Sequence, residues 1–143
     1  MNTFEDVVEM FLSMISEVNY LDYTDEELFE ELGLKVRMVI AKASVFKNLT
    51  FNRNRVDFNR KVSDIEATIL AHGLIVEWLS PKIFNYELLE GQLGSKDFTI
   101  FSNANRLSEL RQLVQASKVQ FYELISDYDL YVTYLADEES EVN

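Results

Sequence analysis

The residues with the most chemical potential in this sequence are few and scattered. His72 is the single histidine, and there is no cysteine. A catalytic triad needs an imidazole placed by a carboxylate, and a structural zinc needs about four His or Cys ligands. This inventory excludes a disulfide framework, a thiol nucleophile, and a multi-histidine or thiolate metal centre within one copy. His72 stands beside Gly73 in a helical pattern and reads as a packed or surface histidine. Gly91-Gln-Leu-Gly94-Ser-Lys96 has the composition of a phosphate-binding loop, but it lacks the GxxxxGK[ST] spacing and no strand precedes it. A helix C-cap followed by a turn accounts for both glycines. Glu123, Asp127 and Asp129 could offer oxygens to a hard cation. Glu123 and Asp127 are four residues apart and share a helix face, whereas Asp129 points elsewhere, and no EF-hand spacing is present. They read as solvated helix charge. The sequence therefore offers no catalytic, cofactor-binding or metal-binding set, and the chain is expected not to be an enzyme.

A basic patch is the remaining chemical feature. Arg53, Arg55, Arg60 and Lys61 are interleaved with Phe51 and Phe58, the mixture that neutralises phosphates and stacks on bases. The chain as a whole has a net charge of −12, which repels a polyanion, so acidic protein surfaces are the better partner. The charge is segregated. Residues 1–34 carry −10, residues 35–61 carry +7, residues 62–118 carry −2 and residues 119–143 carry −7. Two different, complementary patches on one molecule are what a head-to-tail interface between copies requires. The expectation is that the basic 47–61 segment meets the acidic surface of residues 1–34 or 119–143 on a neighbour. Its candidate interface residues are Phe51, Arg53, Arg55, Val56, Phe58, Arg60 and Lys61. The competing expectation is that these charges pair within one subunit.

Helices must position these groups. With one Pro and four Gly, the chain has little punctuation and favours long helices. Phe4, Val7, Val8, Phe11, Leu12, Ile15 and Val18 recur at the helical period after a Thr3 N-cap faced by Asp6, predicting a first helix over residues 3 to about 20. Thr24 and Glu27 form a capping box that opens a second helix, with a stripe from Leu28 to Ala43, a weak point at Gly33, and an end near Phe46. In residues 47–61, Leu49, Phe51, Val56 and Phe58 alternate with polar residues around a turn at 52–55, which predicts an extended loop or short hairpin. Ser63 and Glu66 form another capping box. The third helix should place Ile65, Ile69, Val76 and Leu79 on its stripe and stop at Pro81. A short helix is placed over 86–90, and residues 95–102 form a loop containing Phe98, Ile100 and Phe101. The last helix begins near Asn103 and extends to about Tyr134. The core is expected on the second, third and last helices, with Ile69, Trp78, Leu110 and Phe121 buried.

The resulting fold class is all-α: a bundle of about four helices with a short extended segment or hairpin around 47–61. Residues 1–134 form one helical domain, and the acidic residues 135–143 form a mobile tail with no core-forming pattern. The N-terminus is acidic where a signal peptide needs positive charge, and no apolar run approaches the roughly 18 residues of a membrane span. No membrane partner is expected, and the Asn48-Leu49-Thr50 sequon reads as a chance match. Seven Tyr and ten Phe should mostly fill the core. Tyr20, Tyr23, Tyr131 and Tyr134 lie near helix ends or in the polar tail, where tyrosine often serves interfaces.

Three segments carry a family resemblance: FNRKVSDIEATILAHGLIVEWLSPKI, LGSKDFTIFSNANRL and ELRQLVQASKVQFYELISDY. Over residues 49–131 the chain resembles small virion proteins of phages that infect Gram-positive bacteria, whereas residues 1–48 contribute almost nothing to the match. The resemblance implies a head–tail connector or head-completion subunit of the neck. Such subunits are helical and form rings, commonly twelve-fold, below the portal. It implies as partners copies of the chain, the portal and other neck or tail proteins, with DNA at most passing through the lumen. It implies location in the virion, and in the host cytoplasm during assembly. No cofactor is expected. The alternative is an acidic DNA-mimic inhibitor of a host nucleic-acid enzyme, against which the +7 block argues.

Overall fold

A computed structural model describes residues 1–15, 24–43, 45–89 and 106–142; the side chains of 86–89, 106, 131 and 133–142 are not part of that description. Among the described residues the chain is mostly helical, with four helices and a two-stranded hairpin, in agreement with the expected class. In chain order these are α1 (Phe4–Met14), α2 (Asp25–Ala43), β1 (Phe51–Asn52), β2 (Asp57–Phe58), α3 (Asp64–Leu89) and α4 (Arg106–Val142).

Local signals start the helices. Thr3 caps α1 reciprocally with Asp6: the Asp6 N–H donates to Thr3 Oγ1 at 3.3 Å, and the Thr3 N–H donates to Asp6 Oδ2 at 2.9 Å. That backbone hydrogen bond, followed by the Thr3 hydroxyl, holds the Asp6 carboxyl below its usual range. The Glu27 N–H donates to Thr24 Oγ1 at 3.1 Å ahead of α2. Ser63 and Glu66 satisfy each other at the start of α3, at 2.9 and 3.2 Å.

The ends differ from expectation. α1 stops at Met14, with Ile15 as its C-cap, rather than running to about residue 20. α2 ends at Ala43 rather than near Phe46. Pro81 does not stop α3, which continues to Leu89 and takes in the described part of the expected short helix at 86–90. Proline removes one donor to the preceding turn, but contacts on both sides restrain the segment. Ile83 is buried beyond it, and Lys82 Nζ lies 5.0 Å from the centre of the Trp78 ring. α4 starts at Arg106 and passes through Tyr134 without a break, reaching Val142. The acidic stretch expected to begin a separate tail is thus helical. Its alanine and glutamates are good helix formers, and adding residues to an existing helix is far easier than nucleating one.

α3 is the central element. Ala67, Ile69, Leu70, Ala71, Leu74, Ile75, Trp78 and Leu79 are all buried, so it is covered on nearly every side. Ile65, expected on its stripe, is 38% exposed because it lies in the first turn, at the edge of the bundle. α4 packs antiparallel to α3: Phe121 lies over Gly73, and one end further on Tyr128 reaches Glu66. Ile69, Trp78, Leu110 and Phe121 are all buried. The core is nevertheless broader than the three expected helices. Phe4, Val7, Val8 and Phe11 of α1 are fully buried, and Phe11 meets Trp78 edge-on at 5.6 Å. An 11-residue helix is marginal alone, so this burial, worth about 1.5–3 kcal/mol per large side chain, is what maintains it.

Candidate interaction surface

The hairpin is built outward from an aromatic cluster. Phe4 of α1 contacts Phe51 of β1 and Phe58 of β2 at ring-centre separations of 4.7 and 5.7 Å. Phe51 pairs with Phe58 across the strands, and Asn52 with Asp57. The Phe51 ring also rests on Gly33, where an added Cβ would lie only 3.0 Å from it. Gly33 is therefore the seat of the hairpin on α2 rather than a weak point. Asp57 Oδ1 accepts from the Phe4 N–H at 3.0 Å, tying β2 to the start of α1. Asn2 pairs with Val62 through two backbone hydrogen bonds of 2.7 and 2.8 Å, closing the other side.

The turn lies where the alternation places it. Asn52 Oδ1 accepts from the N–H groups of Asn54 and Arg55 at 2.9 and 3.1 Å, a side-chain mimic of a backbone turn. Val56 then takes a positive φ of 53°, which a β-branched residue rarely adopts. The conformation turns Val56 outward, 42% exposed, while Phe58 enters the core.

The seven candidate interface residues thus divide. Phe58 is buried and faces its own subunit. Phe51 is half-buried on Gly33 and Phe4. Arg60 forks onto Glu66, with Nη1 to Oε1 at 3.2 Å and Nη2 to Oε2 at 2.8 Å, and also donates to the carbonyls of Lys47 and Lys61. Arg53, Arg55, Val56 and Lys61 are exposed. Among the described residues neither Arg53 nor Arg55 has a salt-bridge partner, whereas Arg60–Glu66, Lys42–Glu77 and Lys82–Glu31 pair within the chain. Charge segregation is therefore resolved internally at some positions and left open at the hairpin tip.

Glu66 is the buried node of this end of the molecule. It accepts from Arg60, from the Ser63 N–H and from the Tyr128 hydroxyl at 3.2 Å, joining the hairpin exit, α3 and α4. Burial alone would raise its carboxyl; the Arg60 hydrogen bonds and charge, with Ser63, outweigh that and hold it below the ordinary value. The same bonds raise Arg60. Burial, then the Glu66 charge, raises the Tyr128 hydroxyl. Sequence reading found Glu66 only as a cap. An arginine six residues before a capping glutamate was the available signal for the pair.

Beside the hairpin lies an open cleft of about 420 Å³ between its tip and the first half of α2. Phe29, Gly33, Leu34, Phe51 and Val56 supply apolar lining, Glu26 and Glu30 stand on one wall and Arg53 on the other. The α2 wall was not anticipated. Its signal was an exposed Glu pair at helical spacing around Phe29.

The other candidate groups remain apart. His72 lies on α3 with Nδ1 buried and without a hydrogen-bond partner among the described atoms, and burial lowers its pKa. Glu123, Asp127 and Asp129 are exposed on α4. Among the described residues no three His, Asp or Glu side chains converge to hold a metal ion, and no helix is long and apolar enough to cross a membrane. The segments at 91–96 and 95–102, and residues Tyr20 and Tyr23, lie outside the described residues, as do the side chains of Tyr131 and Tyr134. No protein-family model, curated protein or solved structure matches the chain.

Proposed function

We propose that this chain is a structural subunit of a tailed-phage neck, a head-to-tail connector that acts by contact with copies of itself and with the portal. The observation that carries the reading is the division of the hairpin. Its inner residues are locked to α1, α2 and α3, while its tip holds Arg53, Arg55 and Val56 outward without acidic partners among the described residues. A rigidly mounted basic tip on an acidic helical body suits an assembly surface, where complementary charge steers and registers subunits. The family resemblance of residues 49–131 supplies the setting. An acidic lumen would also let DNA pass without adhering. The DNA-mimic alternative sits less well with arginines displayed at the tip.

Native mass spectrometry of the full chain with and without the cognate portal tests the reading. A ring on the portal is expected, with the Arg53→Glu/Arg55→Glu protein failing to join at normal stoichiometry. Absence of any portal complex, together with stoichiometric capture of a host nucleic-acid enzyme, would replace the connector reading with the mimic.

A further inference from the structure

We infer that the α2–hairpin cleft of one copy receives the outer face of α4 from a second copy. The inference rests on the self-assembly part of the proposed function and names the two surfaces that meet. The cleft is bipolar: Glu26 and Glu30 on the α2 side, Arg53 on the hairpin side, and an apolar floor between them. The exposed face of α4 is bipolar in the matching sense, and its Lys118–Tyr122 edge borders Val39, Lys42 and Glu77 of the neighbouring helices. Val119 and Tyr122 are 44% and 59% exposed, and exposed Lys118 and Glu123 flank them. On a helix, positions 118 and 122, and 119 and 123, are neighbours one turn apart, so the four form one patch with the cation at one edge and the carboxylate at the other. Docked with Tyr122 in the cleft, Lys118 faces Glu26 and Glu30, and Glu123 faces Arg53. Among the described residues none of Glu26, Glu30, Arg53, Lys118 or Glu123 has a salt-bridge partner in its own chain. Glu26 and Glu30, four residues apart, repel one another on α2, and a cation between them removes that penalty.

The two surfaces face different directions, as a head-to-tail contact needs. Gly33 of α2 touches the hairpin, whereas Val39 of α2 faces Gly73 at the α3–α4 crossing and shares a groove there with Lys118 and Tyr122. Six residues of helix separate these positions by about 120° around the axis. A patch and its complement on different sides of one molecule generate a ring or a filament rather than a closed pair. The acidic block 119–143 thereby meets the basic hairpin through Glu123, and the acidic block 1–34 meets a lysine through Glu26 and Glu30.

Because the chain has no native cysteine, single thiols report the contact directly. Val56→Cys protein mixed with Tyr122→Cys protein, under mild oxidation, is expected to give about tenfold more cross-linked pair than Val56→Cys mixed with Ser108→Cys, an exposed control on α4. In sedimentation of the full chain, Glu30→Lys and Lys118→Glu should each weaken self-association about tenfold or more, and the two reversals combined should recover most of the loss. Cross-linking no better than the control, a chain that stays monomeric across the concentration range, or reversals that simply add would each overturn the inference. Rings that form on the portal without rescue would remove this contact and leave the connector reading standing. Rescue without portal binding would do the reverse.

Discussion

Gly73→Ala should destabilise this protein even though alanine is the better helix former. In an unobstructed helix interior the change gains about 1 kcal/mol. Here the new Cβ would fall 2.4 Å from Val39 Cγ1 and 2.9 Å from Phe121 Cε2. Carbon atoms in favourable contact are about 3.5–4.0 Å apart, so a neighbour must retreat by about 1 Å. Val39 is 1% exposed and β-branched, and Phe121 is 6% exposed, so neither has open space to enter. Overpacking of this kind costs about 1–3 kcal/mol, and with neither neighbour free to retreat the net loss reaches up to about 2 kcal/mol. Gly33→Ala is the internal reference. Its Cβ would meet only the edge of the half-buried Phe51 ring, at 3.0 and 3.1 Å, which a shift of a few tenths of an ångström in that ring relieves. That variant should be neutral or gain up to about 1 kcal/mol. Urea unfolding followed by circular dichroism should separate the two variants by about 2 kcal/mol, or roughly 4–8 °C in Tm for a chain of this size. A Gly73→Ala protein as stable as Gly33→Ala would refute the close α2–α3–α4 crossing.

Arg60→Met leaves Glu66 buried without its main partner and should cost about 2–3 kcal/mol at neutral pH. The folded-state pKa of Glu66 lies below its ordinary 4.5, so its contribution is present above about pH 4.5 and is lost as pH falls through the folded value. Arg60→Met should therefore show a smaller loss of stability on acidification in that window, and an unchanged acid limb would show that the pair is not formed. His72 has a pKa lowered from 6.5 by burial, so the unfolded chain takes up its proton first and stability declines as pH drops below about 6.5. His72→Gln should flatten the unfolding midpoint between about pH 5 and 6.5, and a slope identical to the parent's would count against burial of the ring. Deleting residues 136–143 should leave the unfolding midpoint in place and remove only a proportionate part of the helical signal, since that stretch contains little apolar surface to bury. Collapse of the helical signal would show that the end of α4 contributes to the fold.

The local features of this fold were legible in the sequence because their partners lie within one turn of chain. Thr3 with Asp6, Thr24 with the Glu27 N–H, and Ser63 with Glu66 meet wherever the rest of the protein goes. The helical period that marked Ile69, Trp78, Leu110 and Phe121 as buried is likewise a property of short segments, as is the alternation around Phe51 and Phe58. What tertiary structure decided were outcomes set by residues distant in sequence. Pro81 reads as a stop by its own chemistry, yet Lys82 over Trp78 and buried Ile83 hold the helix through it. Gly33 reads as a weak point in its helix, yet Gly33 and Gly73 are places where Phe51, Val39 and Phe121 approach closely. α1 joins the core because Phe11 finds Trp78, a partner 67 residues away. The basic segment 47–61 was recognisable from its charge alone, but which arginines face outward depended on Glu66 and Tyr128 closing around Arg60. A charge pattern states how much charge a segment carries; only the folded chain determines which of those charges have already been neutralised from within and which remain to meet a neighbour.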